Sequence, residues 1–221
     1  IGLTKIKNSY YLIDESNNLI KANITPSLFH LPFFIGKNSN NNASIILRLI
    51  KESNINLNYI SLSLIDNSLQ ERIELYNSYG IKVCSGGTLF EFFYKNKEID
   101  KFYEFIKKNN FQVCEISDGT LDIPQEIKLF HISKVSKEIE CLSEVGSKDS
   151  SAIMSPRKWC LQIQEELDAG ASHVILEGRE SGTAGIYRNS GEIRQGLIDE
   201  IIEFGISCNN LIFEASLKKH Q

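Results

Sequence analysis

Beyond about residue 31, short apolar runs rich in β-branched residues alternate with longer stretches of helical period. The runs at 31–35, 58–64, 81–84, 112–116, 141–145, 173–177 and 210–214 are too short for helices and are bounded by turn residues, which predicts strands. Helices are predicted at 44–52, 69–79, 89–108, 124–137, 156–169 and 193–204. Ser155-Pro156 supplies an N-cap followed by a proline that suits the first helical turn. Gly80 and Gly170 stand where helices stop. Strand–helix alternation predicts a parallel sheet with helices outside, and units of about 31 residues predict an α/β TIM-type (β/α) barrel. Seven units are evident over 31–221; the eighth is missing or replaced, because the chain reaches Gln221 directly after the seventh strand and its loop. Residues 1–30 are expected to be an N-terminal extension, with 9–13 and 19–24 forming a β-hairpin around Ser16-Asn17-Asn18.

Alternate residues of a strand face opposite sides. In the last strand Ile212 and Glu214 share the face predicted to line the interior, while Leu211 and Phe213 meet the helices. The same alternation turns Ile175, Glu177 and Arg179 inward from one strand, and Val113, Glu115 and Ser117 from another. Glu144 closes Cys141-Leu142-Ser143. Four neighbouring strands thus end in Glu115, Glu144, Glu177 and Glu214. Carboxylates gathered in a protein interior require cations, or they protonate. Lys37, Lys148, Arg179 and Lys219 follow strands at the same end. An all-oxygen donor set without a His/Cys cluster points to Mg²⁺ rather than Zn²⁺. Barrel active sites lie at this end, so a functional site outweighs a structural ion-pair network.

Composition narrows the picture. Hydrophobic residues make up 42% and charged residues 24%, as in a packed soluble domain. A net charge of −4 excludes a general nucleic-acid binder but not small anionic substrates, which need only a local cationic pocket. The five cysteines form no CxxC pair, and they are expected to be reduced thiols in a cytoplasmic protein. No apolar run reaches membrane-spanning length. The chain begins with Ile rather than Met, and it is expected to be a piece of a longer product. Trp159 is expected in the core, and His131 on a helix surface.

Two glycine-rich turns, Ser85-Gly86-Gly87-Thr88 and Ser181-Gly182-Thr183-Ala184-Gly185, sit at the same rim, where exposed backbone N–H groups can meet an anion. Five ordered blocks then carry a resemblance. They are Gly86-Gly87-Thr88-Leu89-Phe90-Glu91, Glu115-Ile116-Ser117-Asp118-Gly119-Thr120, Ser143-Glu144-Val145-Gly146-Ser147-Lys148-Asp149, Glu177-Gly178-Arg179-Glu180-Ser181-Gly182 and Ile212-Phe213-Glu214-Ala215. In order and spacing they resemble the phosphosulfolactate synthase family, strongly over 84–221 and thinly over 31–83.

That resemblance implies a (β/α) barrel and a lyase that adds sulfite to phosphoenolpyruvate with Mg²⁺, an early step towards coenzyme M. It implies Lys148 as the proton donor, with a pKa lowered by a cationic pocket. Arg179 and Glu144 would act beside it. Glu115, Glu177 and Glu214 would hold the metal, directly or through water. Lys37, Gly86, Gly87, Thr88, Ser181, Gly182 and Lys219 would bind substrate. The chain departs from the family pattern at Gly36, where an aspartate is usual. It departs again over 61–68, where a lysine and a glycine-flanked tryptophan are usual. A non-catalytic homologue that binds a phosphorylated ligand or a partner protein is the alternative, and association into a homo-oligomer is left open.

Overall fold

The computed structural model describes residues 2–6, 9–13, 19–22, 59–62, 69–149, 151, 153–179 and 181–215. Near the N-terminus, β1 (Gly2–Ile6), β2 (Ser9–Ile13) and β3 (Leu19–Ala22) form an antiparallel sheet in that order. The expected hairpin is therefore the second half of a three-stranded meander. The extra strand is Gly2–Ile6, whose register runs from Gly2 opposite Ile13 to Ile6 opposite Ser9.

The main body alternates β4 (Tyr59–Leu62), α1 (Leu69–Ser78), β5 (Lys82–Ser85), α2 (Gly87–Lys95), α3 (Ile99–Lys108), β6 (Val113–Ile116), α4 (Gln125–Val135), β7 (Glu140–Val145), α5 (Pro156–Asp168), β8 (His173–Leu176), α6 (Gln195–Glu203) and β9 (Leu211–Phe213). The six strands are all parallel, and each is hydrogen-bonded to its neighbour in the chain, in the order β4-β5-β6-β7-β8-β9. Such single winding, with crossovers of one hand, leaves helices on one face of the sheet. The first expected unit, 31–35 with 44–52, lies outside the described residues.

Both faces of the sheet are covered, as parallel strands require. Towards the helices, Val83, Cys114, Ile116, Cys141, Val145, Val174 and Leu176 pack with Phe90, Phe102, Ile132, Trp159 and Ile201. On the opposite face, Cys84, Val113, Leu142, Ile175 and Ile212 form a second cluster, with Tyr59 against it. The sheet is curled like half a barrel. In a flat sheet β4 and β8 would stand about 19 Å apart. Yet the Tyr59 and His173 rings meet at 6.2 Å, and the Tyr59 hydroxyl donates to Glu140 Oε1 at 2.5 Å. Phe213, expected to meet the helices, is 38% exposed.

Ser155 caps α5 by accepting from the Lys158 amide at 3.3 Å, with Pro156 beginning the helix. The single helix expected over 89–108 is two. Lys97 takes the left-handed conformation (φ 58°) after Asn96, whose side chain bonds back to the Phe92 carbonyl. The break folds α3 against α2 so that Phe90 and Phe93 both reach Phe102. Trp159 is in the core as expected. His131 is not a surface residue: it is buried among Phe90, Tyr94 and Tyr103, and its Nδ1 is 2.5 Å from the Tyr103 hydroxyl. A ring that hides its flat faces on aromatics and satisfies its nitrogen locally need not face water.

Candidate active site

The strand ends bring the four glutamates together. Glu115 and Glu144 lie within β6 and β7, and Glu177 and Glu214 follow β8 and β9 directly. Each falls on the inner-face parity set by Val113, Leu142, Ile175 and Ile212. Glu115, Glu144 and Glu177 are buried and Glu214 is half-buried. The carboxyl groups of Glu144 and Glu177 lie close enough to repel one another, as do those of Glu177 and Glu214. Acids gathered in this way hold protons unless enough positive charge stands beside them.

One lysine stands among them. Lys148 Nζ is 3.2 Å from Glu144 Oε1 and 3.4 Å from Glu177 Oε2. Backbone N–H groups add to the neutralisation: the amide of Gly178 donates to Glu214 at 2.8 Å and that of Arg179 to Glu177. These are too few charges for three buried acids and a half-buried fourth. Burial pushes Glu115 well above the ordinary carboxylate range, and the nearby Glu144 adds to the rise. Burial and Glu177 push Glu144 up to about 8. Glu177 is raised by burial and Glu214, and Glu214 by burial and Glu144. The expected lowering of the Lys148 pKa is reversed. Burial alone would lower it, but Glu144, Glu177 and Glu115 outweigh that and hold it above the usual lysine value. The pocket around Lys148 is acidic, not cationic.

Lys148 opens onto a cleft of about 830 Å³, lined also by Asp118, Gly119, Thr120, Asp149, Lys158 and Arg179. Arg179 is exposed and adopts a left-handed backbone (φ 48°), which turns its amide to Glu177. Of the expected substrate-binding residues, Gly87 is buried beneath Glu115, and Gly86 precedes the first turn of α2 as its N-cap. Thr88 is exposed. Gly182 is buried in a turn closed by its amide on the Arg179 carbonyl, and Ser181 is exposed with its hydroxyl 2.7 Å from that of Thr183. Lys37 and Lys219 lie outside the described residues.

Sequence reading missed the residues that fasten this rim. Glu91, buried in α2, accepts from Ser117 Oγ at 2.6 Å and from the Thr120 amide at 3.0 Å, tying down the 117–120 loop. Lys128 and Glu166 pair at 2.7 Å behind the sheet. A signal for Lys128 did exist: with His131, Ile132 and Val135 it occupies the i, i+3, i+4, i+7 stripe of α4, where a lysine is out of place.

Close packing makes the glycines here irreplaceable. A Cβ on Gly87 would lie 2.2 Å from Ser117 Oγ and 2.4 Å from Glu115 Oε1. Gly87→Ala is therefore expected to displace Glu115 and destabilise the fold by about 1–3 kcal/mol, the usual cost of overpacking. Urea unfolding of the variant checks this, and a midpoint unchanged from the parent would contradict it.

The donor set is all oxygen, which suits a hard dication, and the raised carboxyl pKa values mark a shortage of positive charge. Among the described residues no three His, Cys, Asp or Glu side chains form a ready metal-binding group. A Mg²⁺ ion would fit as that ion commonly does, on one or two carboxylates with water and substrate oxygens completing its shell.

Comparison with known proteins gives concordant matches. The sequence model of the family described as (2R)-phospho-3-sulfolactate synthase (ComA) matches residues 55–221. The phosphosulfolactate synthase of Bacillus subtilis is 40% identical over 161 residues, covering 72% of this chain and 64% of that protein. The phosphosulfolactate synthase of Methanocaldococcus jannaschii is 36% identical over 157 residues, covering 69% of this chain and 62% of its own. The chain thus spans slightly less than two thirds of these relatives. A crystal structure of 2,3-dimethylmalate lyase, a PEP mutase/isocitrate lyase superfamily member, superposes at a TM-score of 0.41 with 14% identity, covering 77% of this chain and 70% of that one. Among the described residues, no helix is long and apolar enough to cross a membrane.

Proposed function

The chain belongs to the (2R)-phospho-3-sulfolactate synthase family, and from that premise we propose that it acts as a carbon–sulfur lyase of that type, adding sulfite to phosphoenolpyruvate. The observation that carries this reading is Lys148, held between two buried glutamates at the mouth of an open cleft.

In the proposed reaction the sulfite lone pair forms a C–S bond at the methylene carbon. The carbon–carbon π electrons move towards the substrate carboxylate, which becomes an aci-dianion. A proton then goes to the adjacent carbon, giving phosphosulfolactate with its phosphate still attached. Lys148, protonated at neutral pH because Glu144 and Glu177 face it, is placed to give that proton to one face of the intermediate. Glu144 fixes the ammonium in position through the 3.2 Å contact. Arg179 and Lys158, on the walls of the same cleft, offer cationic charge to phosphate and sulfonate groups. One or two of Glu115, Glu177 and Glu214 would hold Mg²⁺, directly or through water. The ion would polarise the carboxylate and offset the charge that gathers there. Free cysteines, four of them buried, fit a reducing cytoplasm.

The test is to incubate the protein with phosphoenolpyruvate, sulfite and Mg²⁺ and to measure phosphosulfolactate by mass spectrometry. Product formation is expected, together with protection by phosphoenolpyruvate against heating. Protection without product would instead favour a ligand-binding homologue that has lost catalysis.

A further inference from the structure

On the helix-covered side of the sheet, α4 carries a lysine that is 1% exposed. Lys128 Nζ touches three oxygens: Asp118 Oδ1 at 2.7 Å, Glu166 Oε1 at 2.7 Å and the Glu144 backbone carbonyl at 2.6 Å. Resting on the reading above, we propose that Lys128 is a positioning residue for the reaction. It clamps the end of β7 to the 117–120 loop and thereby sets where Glu144 and Lys148 stand.

The geometry explains why a clamp is needed at this point. The β6–β7 ladder ends at the pair Ile116 and Ser143. The next carbonyl that could bond towards β6 is that of Glu144, because the Val145 carbonyl turns the other way, to the Glu177 amide. Glu144 therefore carries its carboxyl into the site from a peptide one rung past the last support on that side. Lys128 supplies the missing donor. The same ammonium holds Asp118, which lines the cleft. The loop it anchors has no slack. The Lys148 amide donates to the Gly119 carbonyl at 3.1 Å, and a Cβ on Gly119 would lie 2.7 Å from Glu144 Oε1 and 3.2 Å from Lys148 Nζ. A small shift of β7 or of this loop is passed to both site residues. Glu166, fully buried on α5, opposes the lysine charge from behind and orients the ammonium.

A purely structural ion pair would join α4 to α5 and do nothing more. Lys128→Ala alone cannot separate the two roles, since it would leave two carboxylates without their cation. The double variant Lys128→Met/Glu166→Met can, because replacing a buried pair by apolar side chains of similar volume is often neutral for stability. Its thermal midpoint is expected near that of the parent, with the KM for phosphoenolpyruvate little changed. Its kcat should fall about 10- to 100-fold, the usual cost of a misplaced reacting group. Lys148 should also become several-fold more reactive towards a lysine-acylating reagent, followed by peptide mass spectrometry, because its hold on Glu144 is loosened. A double variant as stable as the parent, with kcat and Lys148 acylation both unchanged, overturns the proposal. If that variant does not fold, Lys128→Arg decides. Its planar guanidinium cannot meet three oxygens in the same arrangement, so an unaltered kcat and unaltered acylation would again defeat the clamp. If the parent itself forms no phosphosulfolactate, the proposed function fails, while the acylation measurement still decides whether Lys128 sets the position of Lys148.

Discussion

Lys148→Ala is expected to lower kcat for phosphosulfolactate formation by about 10²- to 10⁴-fold, the range a positioned general acid supplies. Glu144 and Glu177 would be left facing each other without the ammonium that stands 3.2 and 3.4 Å from them. Lys148→Arg separates charge from proton transfer: it keeps a cation opposite both carboxylates but yields a proton far less readily. It is expected to retain phosphoenolpyruvate binding, seen as heat protection, while remaining at least about 10²-fold slower. Steady-state kinetics of the two variants check this. Parent-like turnover in Lys148→Ala would remove the lysine from the chemistry.

Stability of the metal-free protein is expected to fall as pH rises from about 5 to about 8, and Mg²⁺ is expected to reverse the fall. The sign follows from Glu144, whose folded pKa of about 8 lies above the ordinary 4.5. Between those values the folded state binds a proton that the unfolded chain has released. Stability is therefore fully present below about 4.5 and is lost as pH climbs through 8. Glu115, Glu177 and Glu214 are shifted in the same direction and act in the same sense. A thermal midpoint lower by about 5 °C or more at pH 8.5 than at pH 5.5 is a reasonable size for a chain of this length. A divalent ion takes over from the protons these acids hold, so Mg²⁺ should raise the midpoint at pH 8.5 and do little at pH 5.5. Calorimetric titration in buffers of differing ionisation enthalpy should also detect protons released as Mg²⁺ binds. A midpoint that rises with pH, or that ignores Mg²⁺ throughout, would show that the glutamates do not hold protons in this way.

Much of this was legible in the chain because it depends on local rules. Period-2 and period-3.6 patterns located the described strands and helices of the main body to within a few residues, with the 89–108 helix as the exception. That one split because a single asparagine–lysine pair could leave the helix at little cost once Phe90, Phe93 and Phe102 had each other to pack against. Strand parity placed Glu115, Glu144, Glu177 and Glu214 on one face, since alternation needs no knowledge of the rest of the protein.

What depends on distance through space was not legible. The sign of the Lys148 shift is an example: a row of cations in the sequence suggested a lowered pKa, whereas the fold surrounds this amine with acids. Lys128 is another. Its place on an apolar stripe could be read from α4, but its three oxygen partners come from β7, from α5 and from the loop after β6, which meet only once the two helices pack on the paired strands. Spacing along the chain determines which way each side chain points. Which charges end up as neighbours, and so which protons the site keeps, is decided by strand register and by the curvature that brings distant rungs within a few ångströms.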